Sequence, residues 1–207
     1  SIMRCAYLSQ DFSLCGEAIR RLEGLTETAP LPTVETTLEP KGYSVSLEDV
    51  SFRYEGAKED AVSHVTLNVP EGKTIALVGP SGSGKTTLAR LIPRFWDTTG
   101  GRVLVGGVDV RKMSPEKLMK SVSFVFQNTR LFKTTILENV RYGSPDATLE
   151  EVNRAIDLSQ SREILDRLPE GLDTLIGAEG TYLSGGEMQR IVLARAILKD
   201  APIVVLD

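Results

Sequence analysis

One histidine and two cysteines in 207 residues remove whole classes of chemistry. A structural zinc site needs several Cys or His ligands grouped at short spacing, and a disulfide-framed domain needs several cysteine pairs. Cys5 and Cys15 lie ten residues apart near the start with no histidine close by, so neither framework is read here and a reducing compartment is the default. His64 stands alone, with no second ligand or base in view, and reads as a structural or surface histidine. Charge is also unconcentrated. The 28 acidic and 24 basic residues leave a net charge of −4 with no block of one sign, so the chain lacks the basic footprint of a nucleic-acid binder. No apolar run approaches the roughly 18 residues of a membrane helix. What remains is a chain with 41% hydrophobic residues, enough for a buried core.

The most informative stretch is Gly79-Pro80-Ser81-Gly82-Ser83-Gly84-Lys85-Thr86. The apolar run Thr74–Val78 predicts a strand before it, and Thr87–Ile92 predicts a helix after it. Glycines let the backbone wrap with its N–H groups turned inward, the helix presents its positive end, Lys85 adds a cation and the Thr86 hydroxyl can ligate Mg²⁺. A glycine-rich turn with an incidental lysine would not need strand and helix in that order. The predicted ligand is a nucleoside triphosphate.

The chain opens on Ser1 and closes on Ile203-Val204-Val205-Leu206-Asp207, a buried-strand pattern with no turn after it, and so reads as an excised piece. Residues 1–24 have helical apolar spacing and a glycine stop at Gly24. Three prolines and five threonines between Thr26 and Gly42 read as a linker. The predicted divisions are 1–25, 26–42 and a globular body over 43–207. In the body, strands are expected at Val45–Val50, Val65–Val69, Thr74–Val78, Val103–Val105, Val108–Val110 and Val122–Phe126. Helices follow, one opened by a Thr148/Glu151 capping box and the last spanning about Glu187 to Leu198. This order predicts an α/β core with an inserted helical subdomain.

Leu183-Ser184-Gly185-Gly186-Glu187-Met188-Gln189-Arg190 adds a second anion-binding pattern, a Ser-Gly-Gly turn opening a helix. Taken alone it could equally be an ordinary helix cap with no ligand. The string resembles the signature motif of ATP-binding cassette (ABC) proteins. With the phosphate loop upstream and an apolar strand ending in Asp207 downstream, the resemblance runs through residues 43–207. It implies a phosphate-loop cassette with an antiparallel β subdomain and an inserted helical subdomain, truncated at the second nucleotide-binding strand, with ATP and Mg²⁺ as cofactors.

Residue by residue, the resemblance implies that Gly79, Pro80, Ser81, Gly82, Ser83, Gly84, Lys85, Thr86 and Thr87 hold the phosphates. Tyr54 would stack on adenine, although a core-packed strand aromatic would look the same in sequence. Thr86, Gln127 and Asp207 would serve the metal, Gln127 through an amide that donates and accepts without adding charge. A carboxylate ending a buried strand needs a partner in any case. Lys85, Gln127, Asp207 and Ser184 would be the catalytic set. Ser184, Gly185, Gly186 and Glu187 would face the γ-phosphate held by a second cassette, the two closing head to tail.

Leu131–Val140 resembles the exporter form of the segment after the loop glutamine, and Arg20-Arg21-Leu22-Glu23 looks like the cytoplasmic end of a last membrane helix. The implied protein is an ABC exporter carrying membrane and ATPase parts on one polypeptide, with this part at the cytoplasmic face of the cell membrane. A soluble translation or DNA-repair ATPase, or a regulatory cassette that never hydrolyses, is the competing class. Two departures are visible. Gly177-Ala178-Glu179-Gly180 carries its acid one place later than the exporter pattern Gly-Glu-x-Gly. The residue after Asp207, expected to be a water-polarising glutamate, lies outside the sequence, as do a dimer-contact loop and a switch histidine. The piece is therefore predicted not to turn ATP over by itself.

Overall fold

Alternation of apolar and polar side chains builds β1 (Val45–Phe52) with Val45, Leu47, Val50 and Phe52 buried on one face. It is one of two inner strands, with β3, of an antiparallel sheet in the order β2-β1-β3-β4, with β2 at Val62–Val69, β3 at Gly100–Val105 and β4 at Val108–Asp109. Val45 sits opposite Val69 on one side and Val105 on the other. The register slips between Leu47 and Val50, where Asp49 takes a left-handed φ of 52°. Opposite this bulge, Gly101 has φ +69° and a Cβ there would lie 2.3 Å from the carbonyl oxygens of Glu48 and Asp49. Only glycine lets β3 approach so closely.

The chain is represented by a computed structural model that describes residues 16–17, 20, 31–33, 38–177 and 182–207. It divides into two compact units, Ser1–Pro32 and Thr33–Asp207. In the first, residues 16, 17 and 20 are helical, inside the stretch expected to be a helix, while Arg21, Leu22 and Glu23 lie outside the described residues. The second unit begins within the expected linker. Leu38 N–H donates to the Lys112 carbonyl at 3.0 Å and Lys41 N–H to Gly106 at 2.9 Å.

The sheet packs on α1 (Lys85–Leu91), α2 (Pro115–Ser121) and a parallel strand pair, β5 (Val122–Val125) with β6 (Ile203–Leu206). Leu47, Val50, Leu91, Val103, Val105, Met113 and Leu118 form its nearly solvent-free centre. The predicted strand Thr74–Val78 departs from expectation. Its residues join no ladder, and Val78 is 92% exposed. Apolar, β-prone residues become a strand only when a neighbour supplies hydrogen-bonding partners, and β5 and β6 bond to each other instead.

A second layer holds α3 (Ile136–Arg141), α4 (Leu149–Leu158), α5 (Arg162–Asp166) and α6 (Gly185–Lys199). Its core gathers Ile136, Val140, Val152, Ile156, Ile164, Ile191 and Ala194. The Thr148/Glu151 capping box opens α4 as expected. Asn139, fully buried, accepts from Phe132 N–H and donates to the carbonyls of Phe132 and Thr135. Arg195 of α6 bonds to the Asn139 carbonyl at 2.7 Å and its Oδ1 at 3.1 Å. The far end of α6 reaches β5, where Ser123 Oγ donates to Ala196 O and Lys199 Nζ to Val122 O.

Candidate nucleotide site

Gly84 caps α1 with φ 85°, and a Cβ there would meet the Ala61 carbonyl oxygen at 2.2 Å. The helix start is thus locked against β2 by a residue that must be glycine. Lys85, the first helical residue, turns its ammonium back into the loop. Nζ donates to Gly79 O at 2.9 Å, Pro80 O at 2.7 Å and Ser83 Oγ at 3.3 Å. All three donors are spent inside the loop, so the cation is held where an incoming phosphate would compete with neutral oxygens for it. Ser81, Gly82 and Ser83 are exposed at the rim, whereas Thr87 is buried.

Thr86 and Asp207, 121 positions apart in the chain, meet directly. Thr86 Oγ1 donates to Asp207 Oδ1 at 2.6 Å. The Asp207 backbone N–H bonds to Val125 O at 3.0 Å, carrying the β5–β6 pairing one residue further and setting the carboxylate beside the loop that bears Gln127. The Asp207 side chain is only 8% exposed and lies 3.6 Å from the Arg90 guanidinium. Its Oδ2 accepts no hydrogen bond among the described residues. A buried carboxylate oxygen left without a donor is costly, and a hard divalent cation removes that cost. A hydroxyl and a carboxylate in contact therefore fit Mg²⁺. Among the described residues no group of three or more Asp, Glu, His or Cys side chains could hold a metal, so the cation would take its remaining oxygens from water and phosphate, the usual habit of Mg²⁺.

Gln127 is exposed on the loop after β5. It lines, together with Lys85, Thr86 and Asp207, one open cavity of about 880 Å³ whose other walls are mainly apolar residues of β1, β2, Thr74–Leu77 and β6; Gly79–Gly84 and Tyr54 do not line it. Tyr54 is half-buried at the end of β1. Its ring meets Phe52 edge-on at 4.8 Å and Trp96 at 5.5 Å, and its hydroxyl shares a hydrogen bond with Thr87 Oγ1 at 3.1 Å. Sequence reasoning missed Arg90. Its signal was present, because Thr86 and Arg90 are four apart on one helix and share a face.

Ser184, Gly185 and Gly186 do not line that cavity. Ser184 is the N-cap of α6. Its Oγ accepts from Glu187 N–H at 3.4 Å, and Glu187 Oε2 accepts from Ser184 N–H at 2.8 Å, a reciprocal capping box. The other carboxylate oxygen, Oε1, accepts from the Arg167 guanidinium. The Ser184 N–H and then Arg167 hold the Glu187 carboxyl down at about 2. A Cβ on Gly185 or Gly186 would meet nothing within 4 Å, so no packing among the described residues demands glycine there. The Arg167 contact was illegible in sequence, joining residues on separate helices. The segment Ala178-Glu179-Gly180 lies outside the described residues.

A phosphate loop opening a helix, with a hydroxyl and a carboxylate joined beneath it, defines a nucleoside-triphosphate-binding protein of the phosphate-loop class. The chain belongs to the ABC transporter family, whose pattern matches residues 62–207. Over 164 residues it is 45% identical to the ATP-dependent lipid A-core flippase of Vibrio vulnificus (strain CMCP6), covering 79% of this chain and 28% of that protein. It is 47% identical over 163 residues to the putative multidrug export ATP-binding/permease protein YgaD of Bacillus subtilis, with 79% and 28% covered. The mitochondrial iron-sulfur clusters transporter ATM1 of Candida albicans is 45% identical over 163 residues, covering 79% of this chain and 22% of the relative. Among solved structures, a bacterial Atm1-family ABC exporter with ATP bound superposes with a TM-score of 0.83 at 34% identity, covering 91% of this chain and 34% of that one. The chain thus spans less than a third of the curated relatives named here. Its antiparallel sheet, parallel strand pair and helical layer are those of an ABC cassette.

Proposed function

We propose that this chain is the ATP-hydrolysing motor of an exporter-type ABC transporter, working as one half of a head-to-tail pair and joined to a membrane domain on the same polypeptide, at the cytoplasmic face of the membrane. The observation that carries the reading is a division of labour. Lys85 closes on the phosphate loop through Gly79 O and Pro80 O and Thr86 bonds Asp207, while a Cβ on Gly185 or Gly186 would meet nothing within 4 Å among the described residues. One chain therefore supplies the phosphate cradle and the metal-side residues of one site and the Ser-Gly-Gly face of another. The similarity to exporters favours this over a soluble ATPase. Among the described residues no helix is long and apolar enough to cross a membrane, so the spanning part would lie elsewhere in the polypeptide.

In the mechanism, the loop backbone and Lys85 bind the β- and γ-phosphates, the lysine exchanging neutral acceptors for anionic ones. Thr86 Oγ1 and Asp207 would hold Mg²⁺, which when bound neutralises charge developing on the transferred phosphoryl group. The Gln127 amide orients the attacking water, accepting from it and donating to phosphate oxygen. Ser184 Oγ and the free N–H groups of Gly185 and Gly186 close over the γ-phosphate held by the partner.

Mixed dimers of the full-length protein test this. Lys85→Ala disables a cradle and Gly185→Asp disables a face, so a dimer of one variant with the other retains one intact composite site. Hydrolysis recovered in the mixture above either variant alone is the expected result. No recovery, with both variants folded and dimeric, overturns the composite-site reading.

A further inference from the structure

Glu187 presents an electrostatic difficulty. The N-terminus of a helix offers an approaching anion roughly half a positive charge, yet a full negative charge sits at the third residue of α6. Simple addition leaves the Ser184–Gly186 face net negative and repulsive to a phosphate. Only Oε2 is needed for the cap, through Ser184 N–H. Oε1 accepts from Arg167, which caps the C-terminus of α5 and also bonds the Glu163 carbonyl at 3.2 Å. Adding that guanidinium restores a net of roughly half a positive charge. The Arg167 side chain is 64% exposed, so the pair contributes little to stability, and its position is better explained by what it does to the potential at the glycines.

We infer that Arg167 is a positioning residue for nucleotide: by neutralising Glu187 it makes the Ser184–Gly186 face attractive to the γ-phosphate of a nucleoside triphosphate held by the partner cassette. The inference rests on the proposed role of that face. Arg167 acts through the Glu187 carboxylate, with no direct contact to phosphate or metal in the proposal. Glu187 is kept because its cap fixes the first turn of α6, and with it the directions of the Gly185 and Gly186 N–H groups.

The test is a double-mutant cycle on steady-state hydrolysis by the full-length protein with Mg-ATP, with thermal unfolding of each variant. Arg167→Ala should raise KM for ATP about fivefold with little change in kcat, the effect shrinking as salt screens the exposed charge. In a Glu187→Gln background, where the amide oxygen can still cap Ser184 N–H, the same change should leave KM within about 1.5-fold, and Arg167→Lys should rescue in the native background. Equal KM effects in both backgrounds, no KM effect at all, or a change only in melting temperature overturns the inference. Gly185→Asp separates the two levels. If it abolishes hydrolysis while the cycle shows no coupling, only the Arg167 inference falls; if it leaves hydrolysis intact, the phosphate-facing role falls and the inference with it.

Discussion

Two helix starts in this chain are built from the same small residues and end up opposite in character. At Gly79–Thr86 the groups are spent on the chain itself: Lys85 on three loop oxygens, Thr86 on Asp207, and Gly84 pressed against Ala61. At Ser184–Glu187 the cap is closed behind the helix end, and the two glycines look into open space. The first is a container whose shape the fold dictates. The second is a face whose glycines, in the function proposed here, would answer to a partner cassette. Gly84, with a neighbour 2.2 Å away, is required by the fold, whereas Gly185 and Gly186 have neither a close neighbour among the described residues nor a left-handed φ to require them.

The largest expected effect falls on the container. Lys85→Ala in the full-length protein should weaken ATP binding by about tenfold or more, read by calorimetry, with the melting curve unchanged. Gly84→Ala should unfold the loop as well as empty it. The strained φ and the clash with Ala61 O together cost about 2–4 kcal/mol in denaturant unfolding. Gly185→Ala sharpens the contrast. Stability should hold or rise by up to about 1 kcal/mol, because alanine is the better helix former, while hydrolysis falls. A Gly185→Ala variant that melts early would place this glycine in the folding class and erase the distinction.

Tyr54 sits between the two kinds of role. If its ring stacks on adenine, Tyr54→Ala should weaken ATP by ~1–2 kcal/mol and Tyr54→Trp should preserve binding. Normal ATP affinity with a much lower melting temperature would assign the residue to the Phe52–Trp96 aromatic cluster. Tyr54→Phe should cost only about 0.5–1.5 kcal/mol of stability, the value of the shared hydrogen bond with Thr87.

The smallest effect concerns acid. Glu187 is held at about 2 in the folded chain against 4.5 for a free glutamate. A depressed carboxyl contributes stability that is fully present above its unfolded value and is lost as pH falls through the folded one. Melting temperature should therefore drop between about pH 4.5 and 2 by slightly more in the native protein than in Glu187→Gln. Equal acid sensitivity in the two would mean that the cap and Arg167 do not hold the charge in solution.

Features set by near neighbours were legible in the sequence. The phosphate loop, the Thr148/Glu151 box and most strands depend on residues within a few positions of each other. The start of α1 was read two residues late, because the apolar pattern begins at Thr87 while the left-handed Gly84 fixes the helix at Lys85. What sequence hid was non-local. Thr74–Val78 has strand composition but no ladder partner, Leu38 and Lys41 bond to loops far along the chain, and Arg167 meets Glu187 only because α5 packs near the start of α6.

Helix α6 belongs to both layers of the larger unit. Ile191 and Ala194 are in the helical core, and one turn later the Ala196 carbonyl and Lys199 are fastened to β5. A rod of 15 residues shared by two cores cannot fray at one without withdrawing support from the other. Native-state hydrogen exchange should accordingly find the helical layer and the β5–β6 pair opening as a single cooperative unit.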